Sequence, residues 1–189
     1  LYDIGCGVCH QLVPEQGHVV PGELVIGAYS PTCSYGAINV FATGIGSTDL
    51  AAAMISGMLW FKVPDTAKYI VKGKLPKGAY SKDVILYIAK QVSASGATYR
   101  SVEFVGDAID SLSVDARFTI SNMAIEIGAK AGLMQADRKT IDWVSSHTKK
   151  AFSPVKPDPD AKYIEEREFD VSNLAPQVAK PHTVDNVLP

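Results

Sequence analysis

Between residue 67 and about residue 150, two kinds of segment alternate in strict order, and this restricts the available folds more than any other feature. "AKYIVKGKL" (67–75) switches between apolar and polar residues with the period of two that marks a strand. Ser81 then caps "KDVILYIAKQVSA", a helix closed by Gly96. "SVEFVG" (101–106) reads as a short strand, and Ser113 starts a long helix through about Lys130. "AGLM" is a buried strand, followed by the helix "DRKTIDWVSSHTKK". Strand–helix–strand–helix order predicts an α/β sandwich with a largely parallel sheet, because parallel neighbours need a crossover between them. The 189 residues are 47% apolar, enough to core one domain or two small subdomains.

Upstream, Ser47-Thr48-Asp49 opens a segment (48–61) that is apolar on every side and predicts a buried helix, stopped by Pro64. "LYDI" leads into an expected strand over residues 3–9. In "GAYSPTCSYGA", Ser30 suits a cap and Pro31 the first helical position. Downstream, "SPVKPDPD" (153–160) is a linker, "YIEEREFDVSNL" a strand, and "APQVAKPHTVDNVLP" extended. These changes of character divide the chain at 1–62, 63–150 and 151–189. A net charge of −2 leaves no electrostatic footprint for nucleic acid. No apolar run is long enough to span a bilayer, and the first residues carry no secretion signal. Three cysteines make no disulfide framework, so a cytoplasmic, reducing setting is expected.

Several groups are able to carry chemistry, each with a plainer alternative. His10–Gln11 lies in the Gly-rich "GCGVCHQ", where a histidine serves either as acid–base or as a polar residue at a strand end. Cys6-x-x-Cys9, with Cys33 as a third sulfur, has metal-ligand spacing; the alternative is three reduced thiols that bind no metal. "GIGSTD" (44–49) is an anion cradle or a tight turn. Asn122 and Glu126, spaced i, i+4, share one face of a helix and either address a ligand together or leave Glu126 to pair with Lys130.

"YDIGCGVCHQLVPEQGHVVPGELVIGA", "TCSYGA", "FATGIGSTDLAAA", "LWFKVP", "GKLPKGAYSKDVIL", "GATYRSVEF", "ISNMAIEIGAK" and "LAPQVAKPHTVDNV", in this order, resemble the large subunit of 3-isopropylmalate dehydratase, in the homoaconitase-containing branch of the aconitase superfamily. The resemblance implies aconitase-like three-layer α/β/α subdomains and a hydro-lyase of leucine biosynthesis, which removes and re-adds water on a small malate-type hydroxy acid. It implies His10 and Glu126 as catalytic residues, with Gln11, Ser30, Thr32 and Asn122 binding substrate. It also implies a [4Fe–4S] cluster in the full-length family, held by three cysteines outside the segments matched here, and none bound to this chain. The expected partners are a small swivelling subunit and the remainder of the large subunit. The resemblance marks one departure as well. Where the family reads Asp-Ser-His-Thr, this chain has Tyr29-Ser30-Pro31-Thr32, so Tyr29 replaces the Asp that pairs with the histidine of His10–Gln11, and Pro31 replaces the His that pairs with Glu126. The expectation is a hydro-lyase segment inactive by itself. The alternatives are a non-catalytic, partner-binding scaffold on the same fold and a new metal site built from the three thiols.

Overall fold

The computed structural model describes all 189 residues. Residues 4–6 turn, with Cys6 N–H donating to Asp3 O, and α1 (Cys9–Glu15) follows. No strand forms over 3–9: Gly5 and Gly7 take φ of 90° and 137°, outside the β region. β1 (Leu24–Gly27) and β2 (Phe41–Gly44) pair in parallel, Leu24 opposite Phe41. A 3-10 helix, Ser30–Ile38, links them, with Pro31 in its first turn. Its cap position falls on Tyr29 rather than Ser30, and no side chain caps it. Hydroxyls inside the turn hold it instead: Thr32 donates to Tyr29 O (2.6 Å) and Ser34 to Pro31 O.

α2 (Ser47–Ser56) corrects the expectation of a buried helix: none of its residues is buried. Met54 is 80% exposed and Ile55 89%, and Trp60 just beyond is 84% exposed. An apolar circumference identifies a helix that needs covering without identifying the cover.

β3 (Thr66–Lys72), α3 (Ser81–Val92), β4 (Ser101–Val105), α4 (Asp107–Ser111), α5 (Val114–Asn122), β5 (Ala131–Leu133), α6 (Arg138–His147) and β6 (Glu165–Asp170) build the larger body. Its sheet runs β5-β4-β3-β6 with every pair parallel. The fold is α/β with a parallel sheet, as the alternation of segments predicts. Along β3 the period of two is plain: Ala67, Tyr69 and Val71 point into the core, and Tyr69 meets Phe104 and Phe169 edge-on at 5.9 and 5.2 Å. α3 covers them with Val84, Ile85, Ile88 and Val92. Each such side chain, fully buried, stabilises the fold by about 1.5–3 kcal/mol.

Ser81 is the first residue of α3 and not its cap; Tyr80 takes that place. The buried Asp83 carboxylate accepts the Tyr80 N–H at 2.7 Å and the Gln177 N–H at 2.7 Å, tying the last segment of the chain to the helix start. α3 ends at Val92, ahead of Gly96, because Ser93 turns to φ 69°. The C-terminal segment closes as a ribbon of β7 (Val178–Ala179) and β8 (Val187–Leu188), paired antiparallel.

Ser113 does cap a helix, its Oγ accepting the Ala116 N–H, but α5 stops at Asn122. The chain then tightens into a 3-10 turn, Met123–Ile127, and leaves it at Gly128 with φ 87°.

The 3-10 helix meets the four-stranded sheet through backbone. A Cβ on Gly36 would lie 1.9 Å from Gly132 O, and one on Gly132 would lie 2.6 Å from the Ala124 Cβ, so neither site tolerates a side chain. Met134 N–H donates to Gly36 O (3.0 Å), and Asn39 Nδ2 donates to Met134 O (3.1 Å). Cys33 is fully buried beside this joint, its thiol facing Ser121 O at 3.3 Å and Asn122 O at 3.4 Å. Burial pushes that thiol up to about 12, and the nearby Glu126 charge adds to the rise. Arg117, 1% exposed, ties three helices together, donating to Thr140 Oγ1 (3.1 Å) and Asp110 O (3.3 Å) and pairing with Asp137. Asp137 also caps α6 by accepting the Thr140 N–H (3.0 Å). Burial by itself would raise the Asp137 carboxyl; its hydrogen bonds with Arg117 and Thr140 outweigh that and hold it at about 2.

Three outcomes are expected. Arg117→Ala removes a buried cation that holds three partners and costs about 3 kcal/mol in urea unfolding. Because Asp137 titrates lower in the folded chain than its ordinary 3.8, its contribution is complete above that value and is lost as pH falls through about 2. The acid-side decline in stability is therefore shallower in Asp137→Asn. Thiol alkylation at pH 8 labels the exposed Cys6 and Cys9 quickly, while Cys33 reacts only in denaturant. Its raised thiol alone slows it about a thousandfold.

Candidate functional site

α1, the start of α3, α5 and α6 surround one open cavity of about 470 Å³. α1 contributes His10, Gln11 and Glu15 to its wall, and α5 contributes Asp115, Phe118, Thr119 and Asn122. Lys82 enters from the first turn of α3, Ser34 from the 3-10 helix and Trp143 from α6. Of the six residues selected from sequence, His10, Gln11 and Asn122 line this cavity and Ser30, Thr32 and Glu126 do not.

The helix change at Asn122 accounts for the separation of Asn122 from Glu126. Four residues of α-helix advance about 400° and return to nearly the same face. At three residues per turn, four residues advance about 480° and land about 120° away. Asn122, the last α-helical residue, faces the cavity; Glu126, inside the 3-10 turn, is exposed. Glu126 makes no ion pair with Lys130 either, because the Lys130 ammonium sits over the Tyr99 ring at 5.2 Å. Ser30 is exposed, and Thr32 is buried with its hydroxyl committed to Tyr29 O.

His10 has an unusual environment. Its ring stacks on Tyr29, centroids 5.7 Å apart and planes 28° from parallel, and its Nδ1 is buried without a hydrogen-bond partner. No carboxylate orients the imidazole. Gln11 donates to Glu15 Oε1 at 3.0 Å. Asn122 Nδ2 donates to Ser34 Oγ at 2.8 Å, which leaves the side-chain Oδ1 of Asn122 free to meet a ligand. Lys82 has no ion pair, and it faces a wall that also carries Glu15 and Asp115. The cavity is therefore rich in hydrogen-bonding groups and slightly acidic.

Asp115, Phe118 and Thr119 were missed from sequence, although a signal was present. With Asn122 they stand at i, i+3, i+4 and i+7, one face of α5, opposite the buried Arg117, Ile120 and Ser121. Glu15 carries the same kind of signal, four residues after Gln11 on α1, whereas Lys82 has none because it comes from α3.

The thiols do not fit an iron–sulfur cluster. Cys6 and Cys9 are exposed around the start of α1, Cys33 is buried on the inner side of the 3-10 helix, and the chain has no group of three or more His, Cys, Asp or Glu able to hold a metal ion. No helix is long and apolar enough to cross a membrane.

The sequence matches the Aconitase family (aconitate hydratase) over residues 1–189. It is 50% identical over 188 residues to the 3-isopropylmalate dehydratase large subunit 1 of Methanopyrus kandleri, a match covering 100% of this chain and 45% of that protein. It is 51% identical over 183 residues to the 3-isopropylmalate dehydratase large subunit 1 of Pyrococcus furiosus, covering 97% of this chain and 43% of that protein. It is 49% identical over 188 residues to the probable methanogen homoaconitase large subunit of Methanosarcina mazei, covering 100% and 48%. The chain thus spans under half the length of these relatives. With a parallel α/β sheet, a His–Gln pair opening onto a polar cavity and a family match along its whole length, the chain belongs to the aconitase family.

Proposed function

We propose that this chain is a segment of a hydro-lyase large subunit of the 3-isopropylmalate dehydratase type. Its part is to present His10, Gln11 and Asn122 to a small hydroxy acid, and it does not turn over by itself. The observation that carries this reading is the likeness of about 50%, end to end, to dehydratase large subunits. The cavity supports it with hydrogen-bonding groups from separate elements that converge on one polar space. A dicarboxylate entering there meets Lys82 but also Glu15 and Asp115, so its charge needs further cations from outside this chain. Those cations and the cluster ligands belong, on this reading, to large-subunit polypeptide that the relatives carry and this chain does not span, and the small swivelling subunit is a separate partner.

His10 is the acid–base candidate, and Tyr29 is what weakens it. A stacked phenol fixes the plane of the ring but supplies no charge to support a proton on it. Glu126 is exposed and outside the cavity that His10 lines, which leaves Glu126 a proposed catalytic residue only with groups from outside the chain. The same stacking favours a second reading, in which the fold is kept to bind a ligand or partner without turnover.

The test is a chimera in which this chain replaces the matching segment of the M. kandleri large subunit, assembled with that organism's small subunit. The chain alone is expected to dehydrate no 3-isopropylmalate above background. The chimera is expected to be weakly active and to gain about 10²-fold or more in kcat on Tyr29→Asp with Pro31→His. A chimera as active as the parent would show that Tyr29 and Pro31 do not disable the site, and one left inactive by the reversions would favour the binding reading.

A further inference from the structure

Glu103 is a buried carboxylate with which none of the chain's cations pairs. It stands in the middle of β4, 7% exposed, on the face opposite the core that Val102 and Phe104 fill. Two neutral groups hold it: Gln135 Nε2 donates to Oε1 at 2.9 Å, and the Tyr163 hydroxyl donates to Oε2 at 2.7 Å. Lys68 is its neighbour across the strand pair, but that ammonium pairs with Glu166 at 3.4 Å and sits over the Tyr163 ring at 4.9 Å. Burial and the carboxylate it donates to push the Tyr163 hydroxyl up to about 12, so the phenol keeps its proton and brings no charge. A carboxylate taken out of water is costly unless an opposite charge meets it, and buried carboxylates are therefore paired.

Glu103 lines an open cavity of about 410 Å³ that shares no residue with the one around His10. Both bodies of the chain wall it, and residues 155–163 cross between them, Val155 N–H donating to Asn39 Oδ1 at 2.8 Å. Phe41, Leu133 and Met134 give the cavity an apolar side. Lys156 and Lys162 reach it from the exposed crossing segment, and neither is in an ion pair. Of the other two carboxylates at the cavity, Glu23 is paired with Lys150 at 3.1 Å and Asp158 is exposed.

We propose that this cavity binds a free α-amino acid with an apolar side chain, its ammonium meeting Glu103, its carboxylate Lys156 and Lys162, and its side chain Phe41, Leu133 and Met134. The arrangement of charge selects the class. A dicarboxylate would set a negative group against Glu103, and a diamine would set a positive one against the lysines; a zwitterion answers both. The volume lies in the range of small-molecule sites, at a junction of two bodies where such sites are common.

The experiment titrates the 189-residue chain with three probes. L-Valine is the amino acid, isobutylamine keeps its ammonium without the carboxylate, and 3-methylbutanoate keeps the carboxylate without the ammonium. Calorimetry and amide NMR shifts at residues 133–135 and 155–163 are the readouts. L-Valine is expected to bind and shift both segments, isobutylamine to bind about threefold to tenfold more weakly, and 3-methylbutanoate at least about thirtyfold more weakly. Glu103→Gln keeps an acceptor for Gln135, so it is expected to hold its urea midpoint while losing at least about thirtyfold in L-valine affinity. No binding by L-valine, equal binding of L-valine and either truncated probe, shifts confined to other residues, or full affinity in Glu103→Gln would each overturn the proposal. Should that variant not fold, the three probes on the unaltered chain decide by themselves. The two cavities are separate and no turnover is measured, so the outcome is independent of the hydro-lyase reading.

Discussion

Gly36 and Gly132 meet backbone to backbone, and the rest of the architecture is arranged around that approach. One lies in the 3-10 helix between β1 and β2, the other in β5 at the edge of the four-stranded sheet. With no side chain between them, Met134 N–H reaches Gly36 O, and the 3-10 helix packs against α5 closely enough to bury Cys33 and Ser34. The cavity exists because of this contact: Ser34 and α1 come from one body, and Asp115, Thr119 and Asn122 from the other. A methyl group at either glycine would push the two halves of the site apart by more than a hydrogen bond tolerates.

The site shows a histidine held by a ring and not by a charge. Tyr29 occupies the space beside His10 and keeps the imidazole plane defined, so packing survives. A phenol brings no charge to the imidazole, and Nδ1 is buried and unpartnered. Orphaned polar atoms of this kind are uncommon in folded chains, and each one forfeits a hydrogen bond.

How legible the chain was depends on where the deciding information lies. β3, α3, β4 and α6 could be read directly, because their periodicity, turns and charges are local. α1 could not: its seven residues follow two positive-φ glycines and include Pro14, all of which argue against a helix. The break at Asn122 was invisible because Asn122–Glu126 and Glu126–Lys130 spacing is as consistent with one helix as with two, and the tightening there follows from packing onto Cys33. His10, Gln11 and Asn122 were accessible as polar residues in distinctive settings. Lys82 joins them only through the tertiary fold. α2 was read correctly as apolar and wrongly as buried, because composition specifies that a surface needs covering and not which polypeptide covers it.

The pairing of β3 with β6 sets Ala67 opposite Glu165, roughly a hundred residues later in the chain. Lys68 and Lys72 reach Glu166 and Glu168 across that seam, and Val71 stands opposite Phe169, whose ring closes the core over Tyr69. A ribosome making this polypeptide therefore releases β3, β4 and their helices well before the strand that finishes their sheet. Until β6 emerges, β3 is an open edge with lysines along it, a charge pattern that repels a second copy of itself. The lysines thus act twice in the life of one molecule: first as guards against intermolecular strand pairing, and then as the register marks that align the late-arriving acidic strand.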